Sequence, residues 1–137
     1  SEALFEKANS ISEAMYLNHG NALTTFATKA AYKHGGPWLD AFTSYLESSV
    51  DWIDSFVSSE LSGIKLYKPE GTYQIWLDFS ALGLTSEELN NKVFRDAKMG
   101  LTPGSWFGVG HGDFFRMNFA SPRQKIESSF NKLKQHL

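Results

Sequence analysis

The segment Phe114-Phe115-Arg116-Met117-Asn118-Phe119 reads as a strand that carries a guanidinium on one of its faces. With period two, Phe115, Met117 and Phe119 point one way, and Phe114, Arg116 and Asn118 the other. A charge set between apolar neighbours needs an anionic partner, because a buried unpaired charge is expensive. Arginine's planar fork suits a carboxylate, which it can hold through two parallel hydrogen bonds. Two partners satisfy that chemistry: the carboxylate of a bound substrate, or an Asp or Glu of the chain itself. An exposed edge position, which needs no partner, is a third reading.

Two residues near Arg116 in sequence are candidates to line the same cleft. Trp106 follows Pro103-Gly104 in a turn-rich stretch, and loops on a rigid scaffold often carry function. A tryptophan packed in the core is the alternative. His111 sits in the run Gly108-Val109-Gly110-His111-Gly112, and a solvent-exposed turn histidine is its alternative. The glycine run lacks the context of a phosphate loop. A strand follows it rather than a helix, whose N-terminal amides would hold the anion.

The remaining polar groups supply no site. His19, His34, His111 and His136 form no i, i+4 pair and have no acidic ligand cluster nearby, so no metal site is expected. Asp51 with Asp54, and Glu87 with Glu88, fit solvated helix faces or caps. No Ser-His-Asp arrangement follows from the spacing. Cysteine is absent, which excludes disulfides, thiolate metal sites and cysteine nucleophiles. That is compatible with a reducing compartment, and the expected location is the cytoplasm.

The elements that position these residues are helical first, then mixed. Leu4, Phe5, Ala8, Ile11 and Met15 fall at helical spacing between about Glu2 and Tyr16, with a break at Asn18-His19-Gly20-Asn21. A second helix is predicted from Ala22 to Lys33, ended by His34-Gly35-Gly36. Pro37 suits the first turn of a third. Its stripe is Trp38, Phe42, Tyr45, Leu46, Val50, Ile53, Phe56 and Val57, and Gly63 closes it. Ile64–Lys68 and Thr72–Phe79 read as a hairpin about Pro69-Glu70-Gly71, with Tyr73, Ile75, Leu77 and Phe79 on one face. Thr85 and Glu88 offer a capping box for a helix that turns Leu89, Val93 and Ala97 inward. Leu101–Trp106 and Phe114–Ala120 are two further extended segments. Ser121 is the expected cap of a last helix, with Pro122 at its first position, Gln124 completing a second capping box, and a stripe of Ile126, Phe130, Leu133 and Leu137. The fold class is α+β: an antiparallel or mixed sheet covered by helices.

Composition agrees with a globular chain able to bury a core. The 137 residues are 42% hydrophobic and 15% aromatic. A net charge of −2 gives no electrostatic footprint for nucleic acid. Lys125, Lys132 and Lys134 complement the C-terminus of the last helix. No apolar run approaches the ~20 residues of a membrane helix, and the N-terminus has no signal-peptide pattern.

Several segments taken in order resemble the C-terminal part of fold-type I, pyridoxal-phosphate enzymes. They are Pro69-Glu70-Gly71-Thr72-Tyr73, Trp76-Leu77-Asp78, Pro103-Gly104-Ser105-Trp106-Phe107-Gly108 and the stretch from Phe114 through Arg116, Asn118, Ala120 and Pro122 to Arg123. Ala30–Asp40 adds to the likeness, which covers most of residues 20–137. The branch is that of class I/II aminotransferases and MalY/PatB-type cystathionine β-lyases. The resemblance implies that residues 21–137 form the small domain of such an enzyme, and that residues 1–20 are a helix left from a large domain. It implies that Arg116 grips the α-carboxylate of an amino-acid substrate, with pyridoxal phosphate as the electron sink.

The resemblance also implies what this chain lacks. Family members are much longer, and their cofactor lysine lies in a Ser-x-Ser-Lys type segment that no lysine here matches. No catalytic or cofactor-binding residue is therefore expected in this chain, which reads as a piece of a longer enzyme, most simply a homodimer. Whether the parent transaminates or eliminates a sulfur leaving group stays open. So does a second class of function, a stand-alone binding or interaction module that kept the fold without the chemistry. Two positions depart from the family pattern: Ser49, where asparagine is frequent, and His111, where small or acidic residues are common.

Overall fold

The computed structural model describes residues 1–17 and 20–137. The predicted break at 18–21 therefore falls in part outside the described residues. The chain divides into two compact units, Ser1–Ala41 and Phe42–Leu137.

The first unit holds α1 (Glu2–Ala14), α2 (Ala22–His34) and the opening residues of α3 (Gly36–Glu60). Asn21 caps α2 by accepting a hydrogen bond from the Leu23 N–H at 2.9 Å. Gly35 ends it in right-handed conformation, φ −79°, so the expected left-handed glycine is not what stops this helix. A Cβ at Gly35 would lie 2.5 Å from the Ala31 carbonyl oxygen, and that close approach is what requires glycine. The apolar residues of α1 have helical spacing, yet neither α1 nor α2 buries a residue.

The second unit is a four-stranded antiparallel sheet in the order β1-β2-β4-β3, with strands Lys65–Tyr67, Gln74–Asp78, Thr102–Pro103 and Phe114–Asn118 for β1 to β4. Alternation decides which side each strand buries. Ile75, Leu77, Phe79, Phe115, Met117 and Phe119 face the helices and are almost fully buried. From α3 come Val50, Ile53 and Val57. From α4 (Ser86–Asn90) and the π-helical turn that continues it (Asn91–Asp96) come Leu89 and Val93, followed by Ala97. From α5 (Arg123–His136) come Ile126, Phe130 and Leu133. Phe115 meets Phe79 and Phe94 edge-on, at 5.3 and 5.7 Å between centroids.

Several local expectations hold. The Thr85–Glu88 capping box is complete, with Thr85 N–H donating to Glu88 Oε2 at 2.8 Å and Glu88 N–H to Thr85 Oγ1 at 3.3 Å. Gly63, past the end of α3, has φ +85°.

Others are corrected. Tyr73 precedes β2 and is exposed rather than sharing its inner face. The β1–β2 turn extends past Gly71 to Thr72, which is left-handed at φ 71°; its Oγ1 accepts from the Gln74 N–H at 3.0 Å. Extended structure after Leu101 stops at Pro103, where a 3-10 turn, Gly104–Phe107, begins. Ser121 does not cap α5. Pro122 holds that position without a side-chain bond, and the Ser121 carbonyl instead accepts from Tyr45 Oη at 2.6 Å. Leu137 is exposed, since the stripe of α5 leaves the core at its last turn.

Candidate functional site

The outer face of the sheet carries one row of residues in register across all four strands. Tyr67 opposes Trp76, Trp76 opposes Arg116, and Arg116 opposes Thr102. All four sit on the face away from the helical core, because each lies one residue from a buried position or beside one that does. Sequence periodicity placed Arg116 on this face correctly.

Two contacts hold the half-buried guanidinium. Arg116 Nη2 donates to Thr102 Oγ1 at 3.3 Å, and the guanidinium carbon stands 5.0 Å from the centroid of the Phe107 ring. Among the described residues no carboxylate pairs with it; the ion pairs there are Lys68–Asp51 and Lys134–Glu60. Of the readings that the sequence left open, an internal Asp or Glu partner is therefore not what this face presents. Five N–H donors in a fixed fork, with one used on a threonine, leave capacity for a planar anion.

Beside the arginine is a groove of about 380 Å³, lined by Tyr67, Trp76, Phe107, His111 and Phe114. Trp76 meets Phe107 edge-on at 5.1 Å and Phe114 at 6.4 Å, and His111 meets Phe114 at 5.8 Å. His111 thus lines a cleft wall on Arg116's side of the sheet. Trp106 is 78% exposed on the 3-10 turn and does not line this groove; its neighbour Phe107 does. Phe107, Trp76 and Tyr67 were not singled out as site residues from the sequence. The signal for Trp76 was its position in register with Arg116, which a single strand's period cannot reveal.

Gly104 explains how the turn is held. A Cβ there would lie 2.2 Å from the His111 carbonyl oxygen and 2.7 Å from that of Phe114. Only glycine lets the turn that carries Phe107 press against the backbone entering β4.

Among the described residues, the groove beside Arg116 does not fit pyridoxal phosphate. The groove walls carry no ammonium. Lys65, on the same face, stands over the Tyr67 ring at 4.5 Å, while Lys68 and Lys134 are ion-paired and Lys92 donates to the His136 carbonyl. What the site can do chemically is bind and orient a carboxylate whose remainder lies against aromatic rings.

No protein-family model matches the chain. It is 38% identical over 117 residues to cystathionine β-lyase PatB of Bacillus subtilis, covering 85% of this chain and 30% of that protein. It is 31% identical over 111 residues to the protein MalY of Escherichia coli, covering 81% and 28%. Among solved structures, a pyridoxal-phosphate-bound aminotransferase-like protein of Clostridium difficile superposes with a TM-score of 0.89 at 34% identity, over 98% of this chain and 35% of the other. Cystalysin of Treponema denticola, which contains pyridoxal 5'-phosphate, gives 0.79 at 28%, over 85% and 29%. The chain thus spans about a third of the length of the relatives it matches. No helix among the described residues is long and apolar enough to cross a membrane. The chain belongs to the fold-type I, pyridoxal-phosphate-dependent aminotransferase and C–S lyase family, where it corresponds to the C-terminal part of PatB- and MalY-type cystathionine β-lyases.

Proposed function

We propose that this chain acts as the small domain of a pyridoxal-phosphate-dependent C–S β-lyase or aminotransferase, and that Arg116 binds the α-carboxylate of its amino-acid substrate. The observation that carries this reading is a half-buried guanidinium, steadied by Thr102 and Phe107 and paired with no carboxylate among the described residues. A bound carboxylate completes its hydrogen bonding and is fixed in orientation, so the reacting Cα is presented in one pose. The Phe107 ring covers one side of the guanidinium and leaves the rest of its donors open to the carboxylate.

The cofactor and its lysine belong, on this reading, to sequence outside this chain, in an enzyme that works as a homodimer in the cytoplasm. Residues 21–137 supply the small domain, and residues 1–20 belong with the large one. The experiment is a comparison in the full-length enzyme that carries this chain. Wild type should strongly prefer an amino-acid substrate over its analogue without the α-carboxylate, and Arg116→Lys should lose most of that preference, a loss of ~2–5 kcal/mol. An unchanged preference in the variant sinks the assignment. A full-length product with no pyridoxal-phosphate activity would favour a binding module instead.

A further inference from the structure

The seam between α3 and the start of α5 holds two buried polar atoms that no described group of the protein satisfies. Ser49 of α3 is completely buried, and its Oγ has no hydrogen-bond partner among the described residues. The Nε of Arg123, the first residue of α5, is likewise buried without one. An unmade hydrogen bond of this kind is costly, and native proteins leave few. The hydroxyl also forgoes the usual outlet of a helical serine. Ser55 and Ser59, on the same helix, donate to the carbonyls of Asp51 and Ser55 one turn back, each at 2.8 Å. Ser49 makes no such bond.

The contacts of α5 bring the two atoms to one place. Tyr45, Ser49 and Trp52 share a face of α3 at helical spacing. The residues on either side of Ser49 along that face both touch the start of α5. Tyr45 Oη donates to the Ser121 carbonyl at 2.6 Å, and the Arg123 guanidinium carbon stands 5.7 Å from the centroid of the Trp52 ring. Arg123 Nη2 donates to the carbonyl and hydroxyl oxygens of Ser48 at 2.7 and 2.8 Å. The guanidinium is thus pinned by one end to the residue next to Ser49, with its Nε–H buried in the seam.

We propose that Ser49 and Arg123 hold one internal water molecule, which accepts from the Arg123 Nε–H and bonds the Ser49 hydroxyl. A buried water needs at least two polar partners. The seam supplies a cationic N–H, which only donates, and a hydroxyl, which donates or accepts. The water completes the hydrogen bonding of a guanidinium that already ties α5 to α3. Because α5 follows β4 after a short turn, the site fixes how the chain leaves the strand that carries Arg116. It is independent of what Arg116 binds.

The test is a crystal structure of the 137-residue chain at a resolution that shows ordered water, together with urea midpoints of three variants. A density peak within hydrogen-bond distance of both Ser49 Oγ and Arg123 Nε is expected. Ser58→Ala, on the exposed part of the same helix, gives the reference gain from helix propensity. Ser49→Ala should fall below that reference, because it takes a partner from the water. A truly unpaired hydroxyl behaves in the opposite sense, since its removal relieves an unmade bond. Ser49→Asn should hold the wild-type midpoint or exceed it, as the carboxamide oxygen displaces the water and takes the Nε–H directly. In a seam without room for a water, the larger side chain overpacks and the midpoint drops. Absence of the density peak, a direct Ser49–Arg123 hydrogen bond, a Ser49→Ala midpoint at or above that of Ser58→Ala, or a Ser49→Asn midpoint below wild type overturns the inference. The crystal structure decides it should a variant fail to fold.

Discussion

Thr102 and Arg116 are register partners across β3 and β4, and the threonine hydroxyl accepts a hydrogen bond from the guanidinium at 3.3 Å. A two-residue edge strand thereby orients the one cation of the outer row. Thr102→Val keeps the shape and the strand propensity of the residue but removes the acceptor. A hydrogen bond of this kind is worth about 1 kcal/mol. Carboxylate affinity should fall by up to about fivefold, with a loss of stability of no more than about 1 kcal/mol. Calorimetric titration with a carboxylate ligand checks the first, and a urea curve the second.

Gly104→Ala should damage the site from behind. The new Cβ meets the backbone oxygens of His111 and Phe114, neither of which is a flexible side-chain end. Overpacking of this sort costs typically 1–3 kcal/mol, and relief requires the turn that carries Phe107 to move. The variant should lose stability and carboxylate selectivity together, read by urea denaturation and by ligand titration. A variant with wild-type stability and selectivity would show that the turn has more slack than its packing indicates.

Phe115→Ala should be far more severe than any change at Arg116. Phe115 is fully buried between Phe79 and Phe94. Truncating a buried phenylalanine costs ~3–5 kcal/mol, a large part of a small domain's total stability. Arg116→Lys, one residue along and facing outward, should leave the unfolding midpoint almost unchanged. Thermal melts of the two variants measured side by side test the contrast.

Two exposed groups have shifted titrations, one in the acid range and one in the alkaline range. The Thr85 backbone N–H, then its hydroxyl, hold the Glu88 carboxyl below its usual value of 4.5. A depressed folded pKa gives stability that is present above 4.5 and lost as pH falls through the folded value. The hydrogen bond to Asp51 raises the Lys68 ammonium above its usual 10.5. That contribution is present below 10.5 and lost as pH rises through the folded value. Thr85→Ala should therefore differ from wild type at neutral pH and converge toward it in acid, by urea midpoints at a series of pH values. Asp51→Asn should differ little anywhere, because both partners are solvated.

Adding pyridoxal phosphate to the 137-residue chain should give no stoichiometric absorption band traceable to a single lysine, and no turnover of cystathionine. The lysines among the described residues near the outer sheet face are engaged with a ring or a carboxylate rather than aimed into the groove. Visible spectroscopy with peptide mapping after borohydride reduction decides it. One lysine modified in full, with elimination activity, would reverse the conclusion.

Much of the fold was legible because local signals carried it. The Thr85–Glu88 box, the inward Leu89, Val93 and Ala97, and the alternation through β4 are short-range patterns, and each is present in the structure. The misses lie where distant segments meet. Ser121 lies one residue before the N-cap of α5, which is Pro122, and its carbonyl accepts from the hydroxyl of Tyr45 in α3. The strand expected through Trp106 was cut short at Gly104, where the turn packs against the backbone leading into β4.

The candidate site divides the same way. By itself the sequence determined that Arg116 leaves the core face of its strand, since a period of two fixes that without any neighbour. Its motifs also identified the family and the arginine's expected role. Only the tertiary structure decided what stands around the guanidinium. Strand order and register are set by pairing between segments far apart in the chain, and they put Trp76 and Thr102 on either side of Arg116. The same pairing, with the turn folded back at Gly104, brought Phe107 rather than Trp106 against the arginine and closed the aromatic groove. Cross-strand neighbours are contacts of the fold, with no signature in the spacing of either strand alone.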